Sequence, residues 1–234
     1  EWRLVAQRNR IVVMRSEDLV SWSDPVVLLE QDLPWERQSW LTRPLTCPGV
    51  CYHPVQQRYY LFYSTGMVRL KGPKVAGIAE PVHIGLAVSE SPTGPFRKRT
   101  EPFMSADPDD PWHSIGAGAM QCYWVDELGL LLGLNNGIYR RRTPKGPADG
   151  SAIHLYTSHD GERWDLRTRD PVLAPNDAGK FLWKDALVYQ MGLTAFEGTY
   201  YLYYNARNTS GVEYIGLATC PVRDVHEFLN RTTE

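Results

Sequence analysis

The sequence predicts an all-β protein built as a β-propeller, and three observations predict it. The first is composition. The 234 residues include 8 Trp, 13 Tyr, 19 Gly and 17 Pro; aromatic residues favour strands, and Gly and Pro favour turns. The second is an internal repeat of about seventy residues, marked by Ile11, Ile84, Ile153 and Ile215. The third is a polar turn after the Ile strand, Ser16-Glu17-Asp18-Leu19-Val20-Ser21-Trp22 in one copy and Ser158-His159-Asp160-Gly161-Glu162-Arg163-Trp164 in another. A four-stranded unit recurring at this period is the pattern of a propeller blade.

Each unit reads in the same order. The second copy runs Gly49-Val50-Cys51-Tyr52, then Tyr59-Tyr60-Leu61-Phe62-Tyr63, then Ile84-Gly85-Leu86-Ala87-Val88. The third runs Met120-Gln121-Cys122-Tyr123, then Leu130-Leu131-Leu132, then Ile153-His154-Leu155-Tyr156-Thr157. The fourth runs Ala186-Leu187-Val188-Tyr189, then Tyr200-Tyr201-Leu202-Tyr203-Tyr204, then Ile215-Gly216-Leu217-Ala218-Thr219. Only the later strands of the first copy are present, from Ile11. In the turn, Ser and Asp side chains bond their own backbone, and the aromatic folds back as an apolar plug. A Pro-led strand follows: Pro25-Val26-Val27-Leu28, Pro102-Phe103-Met104 or Pro171-Val172-Leu173. Pro at the start of an edge strand is tolerated and discourages edge pairing. The expected organisation is one propeller domain over 1–234, with a partial blade at 1–30 and blades at 45–105, 115–175 and 183–225. Glu1-Trp2-Arg3 carries neither a signal-peptide pattern nor an initiator Met. The expectation is a propeller without its first blade and part of its second, or an open ring.

Composition also excludes. A net charge of −2 leaves no electrostatic footprint for nucleic acid or an anionic membrane, and the longest apolar run, Leu128 to Leu134, is far too short to span a bilayer. The 4 Cys do not make a disulfide scaffold in a chain this long. Cys47 and Cys51, four residues apart on one strand, would sit about 13 Å apart. All four are expected to be buried, reduced thiols. Compartment, cytoplasmic or secreted, stays open, as does oligomeric state. GxSxG, P-loop and HExxH motifs are absent; the 6 His are scattered, and Gly116-Ala117-Gly118 lacks the third glycine of a dinucleotide fingerprint. No cofactor is expected.

The blade signature resembles the five-bladed propeller glycoside hydrolases: family 43 (arabinanases, xylosidases), family 32 (fructosidases) and the mannoside phosphorylases of family 130. It consists of Tyr-Tyr-Leu-Tyr-Tyr, Ile-Gly-Leu-Ala, Asp-Gly-x-x-Trp and Pro-Val-Leu, and covers most of Ile11 to Thr219. The resemblance implies glycosidic-bond hydrolysis by two carboxyl groups near the axis, one a general acid and the other a base or nucleophile, on an oligo- or polysaccharide of the furanoside, xyloside or mannoside class. A structural calcium is implied by resemblance alone. The resemblance would put the base on a blade preceding Glu1 and the general acid at the start of a blade, where this chain has Thr46-Cys47-Pro48. Thr46 cannot protonate a glycosidic oxygen near neutral pH. Asp185, in Trp183-Lys184-Asp185, is the acidic group the repeat places near the axis. Trp112, His113 and Trp183 are candidates for stacking on and bonding to a sugar. Arg43 is a candidate for a substrate anion, and Thr46 for a hydroxyl. Arg140-Arg141-Arg142 reads as a solvated loop, and 65–81 as a long loop with a possible substrate-lid role. A degenerate propeller that binds glycans or supports an attached domain without catalysis is the alternative, favoured by Thr46.

Overall fold

The computed structural model describes residues 2–7, 10–37, 45–72, 75, 77–143, 146–175 and 182–231, and strands make up most of their regular structure. The first sheet holds β1 (Trp2–Gln7), β2 (Ile11–Ser16) and β3 (Val26–Leu29) in that order. The second holds β4 (Thr46–His53), β5 (Arg58–Arg69), β6 (Ala79–Ser89) and β7 (Arg97–Lys98), with β8 (Met104–Ser105) also on β6. Next come β9 (Met120–Val125), β10 (Leu130–Thr143), β11 (Gly146–Ser158) and β12 (Asp165–Leu166). Last are β13 (Leu187–Phe196), β14 (Thr199–Arg207) and β15 (Glu213–Pro221), joined to β11 by a single parallel pair, Ser151 with Leu187. The helix α1 (Val222–Arg231) closes the chain's described part. Among the described residues no helix is long and apolar enough to cross a membrane.

The sheets stack face to face, and one strand shows why. In β5, Tyr60 and Phe62 pack against β9 to β11, and Leu61 and Tyr63 pack against β2 and β3. All four are 0% exposed. A strand buried on both faces needs an unbroken apolar run, which is what Tyr59 to Tyr63 supplies. β10 repeats the device: Leu131 faces the second sheet's core, while Leu130, Leu132 and Leu134 face β13 and β14. Each such side chain contributes about 1.5–3 kcal/mol through burial, and truncating Phe62 to Ala would cost about 3–5 kcal/mol.

The polar turns form as their residues require. Ser16 Oγ accepts from the Leu19 N–H at 2.8 Å, and Asp18 Oδ1 from Val20 and Ser21 N–H at 2.8 and 2.7 Å. Ser158 and Asp160 repeat this on Gly161, Glu162 and Arg163 at 2.8, 2.9 and 2.8 Å. The Ser21 and Val20 N–H groups hold the Asp18 carboxyl down at about 2. Leu19 and Gly161 share the left-handed backbone, φ 64° and 73°. Trp164 then folds back edge-on to Phe62, with centroids 5.8 Å apart.

Three expectations are corrected. Cys51 and Cys122 form a disulfide with Cα atoms 5.7 Å apart; Cys47 and Cys220 take no part in a disulfide. The bonded pair occupies one repeat position on β4 and β9, whose backbones come so close that a Cβ on Gly49 would meet the Met120 carbonyl at 2.1 Å. The expected loop at 65–81 is shorter than that, since β5 and β6 extend into it from either end to pair Arg69 with Ala79. Arg140 to Arg142 lie within β10, paired with Pro147 to Asp149 of β11, and Arg140 Nε bonds Asp149 Oδ1 at 2.8 Å.

Candidate functional site

The first strands of three units, β4, β9 and β13, lie together and border an open groove of 560 Å³. Cys47 and Pro48 line it from β4, Gln121 from β9, and Gln190 and Gly192 from β13. Two of these strands bulge there. β4 slips register between Thr46 and Gly49 with Cys47 at φ 47°, and β13 slips beside Gln190 at φ 42°. Bulges of this kind re-aim side chains and terminate pairing next to binding sites. Positive φ in a non-glycine residue is backbone strain that the surrounding sheets must hold in place.

Two carboxyls that feel each other's charge, Glu80 and Glu213, connect to this groove indirectly, Glu80 through its effect on Cys47 and Glu213 through Ile215 two residues on. Glu80 begins β6, where the Pro81 and Val82 carbonyls accept from the Gly118 and Ala117 N–H groups at 3.3 and 3.2 Å. That pairing seats Glu80 against the segment leading into β9. Its carboxyl is closely surrounded and makes no hydrogen bond or ion pair among the described residues. Burial first, and the charge of Glu213 second, push it up to about 7. Glu213 begins β15 and is in the opposite situation. Arg207 Nη1 lies 2.7 Å from its Oε1, and the Tyr189 hydroxyl donates to its Oε2. Burial and then that bond push the Tyr189 phenol up. Cys47 joins the two features, since it lines the groove and feels the Glu80 charge. Burial is the main cause of its raised thiol pKa. One carboxyl is thus enclosed and raised to about 7, and the other is bonded by a guanidinium and a phenol.

The residues expected from sequence fall into separate groups. Asp185 accepts from Thr209 N–H at 2.6 Å and from its hydroxyl at 2.9 Å, clasping the turn between β14 and β15. Trp183 stacks on Tyr204 at 6.1 Å and meets Tyr214 edge-on at 6.2 Å. Both therefore adjoin the hairpin that carries Glu213. Thr46 is buried and donates to the Ser64 carbonyl at 3.3 Å. Trp112 and His113 sit elsewhere. Trp112 packs edge-on to Tyr139 at 4.8 Å. His113 is buried with Nδ1 2.8 Å from Asp110 Oδ2 and Nε2 2.7 Å from Asn135 Oδ1. Behind it His154 is 0% exposed and neither ring nitrogen has a hydrogen-bond partner. Burial, and then the charge of His113, push His154 down to about 3. Arg43 lies outside the described residues. Among the described residues no cluster of His, Cys, Asp and Glu has the makings of a metal site.

Sequence reasoning missed Glu80 and Glu213. The signal was present in the repeat. Glu80 stands four residues before Ile84, Asp149 four before Ile153, and Glu213 two before Ile215, so each third strand opens near an acid. Asp149 is consumed by Arg140 and by the Lys71 N–H at 2.6 Å; Glu80 is not consumed.

No known family pattern matches the chain. A stretch of 62 residues is 34% identical to the A type blood N-acetyl-alpha-D-galactosamine deacetylase of Flavonifractor plautii; it covers 25% of this chain and 8% of that protein. The structure of an N-acetylgalactosamine deacetylase from F. plautii in complex with blood group B trisaccharide superposes with TM-score 0.54 at 17% identity, over 91% of this chain and 64% of that one. A thermostable family-43 glycoside hydrolase superposes with TM-score 0.56 at 21% identity, over 93% and 67%. A family 117 glycoside hydrolase of Zobellia galactanivorans gives 0.58 at 13%, over 89% and 52%. These likenesses are likenesses of fold. The chain is all-β, with the β-propeller fold of the five-bladed glycoside hydrolases.

Proposed function

We propose that this chain is a carbohydrate-active hydrolase that breaks glycosidic bonds by acid/base carboxylate chemistry. The observation that carries the reading is the pair of opposed carboxyls, Glu80 raised to about 7 and Glu213 fixed by Arg207 and Tyr189. Two acids in unlike surroundings, one enclosed and one bonded to a cation, can divide the labour of such a reaction. Glu80, protonated for much of the time near neutral pH, donates to the departing glycosidic oxygen. Glu213 acts from the other side as base or nucleophile. Asp185 positions Glu213 by clasping its hairpin through Thr209. Trp183, beside Tyr214, offers an aromatic face to a furanoside, xyloside or mannoside ring. His113, enclosed and bonded at both nitrogens, has no atom left for a hydroxyl.

The test is turnover on a panel of aryl furanosides, xylosides and mannosides, with glycan binding measured alongside. Wild-type turnover, lost by about 100-fold or more in both Glu80→Gln and Glu213→Gln with binding retained, supports the assignment. Binding without turnover of any glycoside supports the degenerate, non-catalytic propeller. The stretch shared with the deacetylase favours one further reading, removal of acetyl groups from amino sugars. Acetate release from N-acetylated sugars in the same panel would establish that instead.

A further inference from the structure

Glu80 has an acid at the equivalent place in the next unit, and that acid does different work. Asp149 stands four residues before Ile153, as Glu80 stands before Ile84, and is 1% exposed. It takes hold of the hairpin that carries Glu80. Asp149 Oδ2 accepts from the Lys71 N–H at 2.6 Å, and the Asp149 N–H donates to the Lys71 carbonyl at 3.0 Å. Arg140 faces the same carboxylate from the neighbouring strand, with Nε 2.8 Å from Oδ1 and Nη2 3.4 Å from Oδ2. A buried carboxylate is costly to leave unpaired, and its bonds to a backbone N–H and a guanidinium are charge-assisted and strong. The two backbones meet closely here, since a Cβ on Gly72 would lie 2.8 Å from the Ala148 Cα. Apolar packing completes the seat. Leu70 and Val75, each 2% exposed, join Ile138 of β10 and Ala186 and Leu187 at the entry to β13, with Ile78 and Tyr189 against them. The Leu70 N–H bonds the Ile78 carbonyl at 2.8 Å, closing the hairpin just ahead of Glu80. Just beyond Glu80, the Pro81 and Val82 carbonyls are tied to the segment leading into β9. Glu80 is therefore fixed from both sides, and Tyr189, which bonds Glu213, packs against the same hairpin.

We propose that Asp149 is a positioning residue for Glu80: its grip on Lys71 holds the β5–β6 hairpin against β10 and β11, and so keeps the Glu80 carboxyl enclosed at the head of β6 and set relative to Glu213. That the held carboxyl serves as proton donor rests on the hydrolase assignment; the hold itself does not. The titratable groups that face Glu80 from other elements are Glu213 of β15, Tyr189 of β13 and Cys47 of β4. Asp149 acts on Glu80 through the hairpin and not through its charge, which Arg140 balances.

The test follows the Glu80 carboxyl by carbon NMR in protein labelled at the glutamate carboxyls, its signal assigned by its loss in Glu80→Gln. Asp149→Ala releases the Lys71 N–H and lets water reach Glu80, and should lower its titration by about one pH unit or more toward 4.5. Asp149→Asn removes the same charge but keeps an oxygen for Lys71, so Glu80 should titrate close to its wild-type value. Val75→Ala weakens the apolar anchor of the hairpin without touching the ion pair. It should lower the titration in the same direction, and it carries the test if Asp149→Ala does not fold. Turnover on the glycoside panel is read alongside. In Asp149→Ala, kcat should fall about tenfold or more with KM little changed, and the alkaline limb of the pH profile should move down with the Glu80 titration. A titration unmoved in Asp149→Ala and Val75→Ala, or lowered equally in Asp149→Asn, overturns the proposal. A titration that moves as expected in a protein that turns over no glycoside upholds the hold and overturns the hydrolase assignment instead.

Discussion

Replacing Glu80 by Gln removes one titration and keeps nearly the same shape. A carboxyl raised from 4.5 to about 7 by folding binds its proton more tightly in the folded state than in the unfolded state. At about 1.36 kcal/mol per pH unit, the difference amounts to about 3 kcal/mol as an upper bound, less whatever solvation the partly accessible carboxyl retains. The direction follows from proton uptake. Below the unfolded value of 4.5 both states are protonated and nothing is lost; as pH rises through about 7 the folded protein is forced to ionise an enclosed group and loses stability. Wild type and Glu80→Gln should therefore be about equally stable at pH 4, and the variant should be more stable by up to about 3 kcal/mol at pH 8.

The assay is urea unfolding of both proteins across that range, reporting the difference between them at each pH. The difference is needed because His154 titrates in the same window with the opposite sign. Its folded value near 3 costs stability as pH falls below about 6.5, but it does so in both proteins and cancels. Glu213→Gln should keep most of the Glu80 effect, because burial is the larger cause of the shift and the Glu213 charge the smaller. A difference that is flat with pH would mean Glu80 titrates as an ordinary surface acid, and its role as proton donor would fall with it.

Three further outcomes follow from other parts of the structure. Replacing Cys51 and Cys122 by Ala opens a loop of 71 residues and should cost about 4 kcal/mol by the chain-entropy estimate, seen as a lower urea midpoint equal to that of the reduced wild type. His154→Phe removes two buried ring nitrogens that no described residue bonds and should flatten the loss of stability between pH 6.5 and 3, with the thermal midpoint at pH 4 rising relative to wild type. Gly161→Ala places a Cβ 2.5 Å from the Tyr60 ring at φ 73°, whereas Gly198→Ala at φ 72° meets nothing; the first should cost several kcal/mol and the second about 1 kcal/mol, and equal losses would show that backbone strain alone is at work.

The repeat was legible because each of its marks is local. Ser16 and Asp18 bond backbone within three residues, and a run such as Tyr59 to Tyr63 must be buried on both faces wherever it sits. What was not legible depended on neighbours distant in the chain. Residues 65–69 and 79–81 flank loop-like Gly, Pro and Lys, and only pairing across β5 and β6 draws those flanks into strand. Cys51 and Cys122 hold one repeat position, which was visible; that the two inner strands approach closely enough to bond was not. Glu80 was hidden for the same reason as the hairpin that carries it, and its raised pKa comes first from burial and then from the charge of Glu213 on β15.

That dependence bears on where the chemistry can reside. The sheets are held together by Tyr60, Phe62, Leu131, Ile153 and their neighbours, packed between faces away from the groove. Enclosing one unpaired carboxyl costs about 3 kcal/mol at most, which a few such side chains offset. The cost is therefore tolerable at the strand heads beside the groove, where side chains are freed from packing between sheets. Glu80 comes from the second sheet and Glu213 from the last, with β9 to β12 between them. Neither acid has its character in the unfolded chain, where Glu80 has no enclosure and Glu213 has neither Arg207 nor Tyr189 fixed beside it. The opposed pair is a product of the stacking, and a substitution that loosens the stack should shift the Glu80 titration before it unfolds the protein.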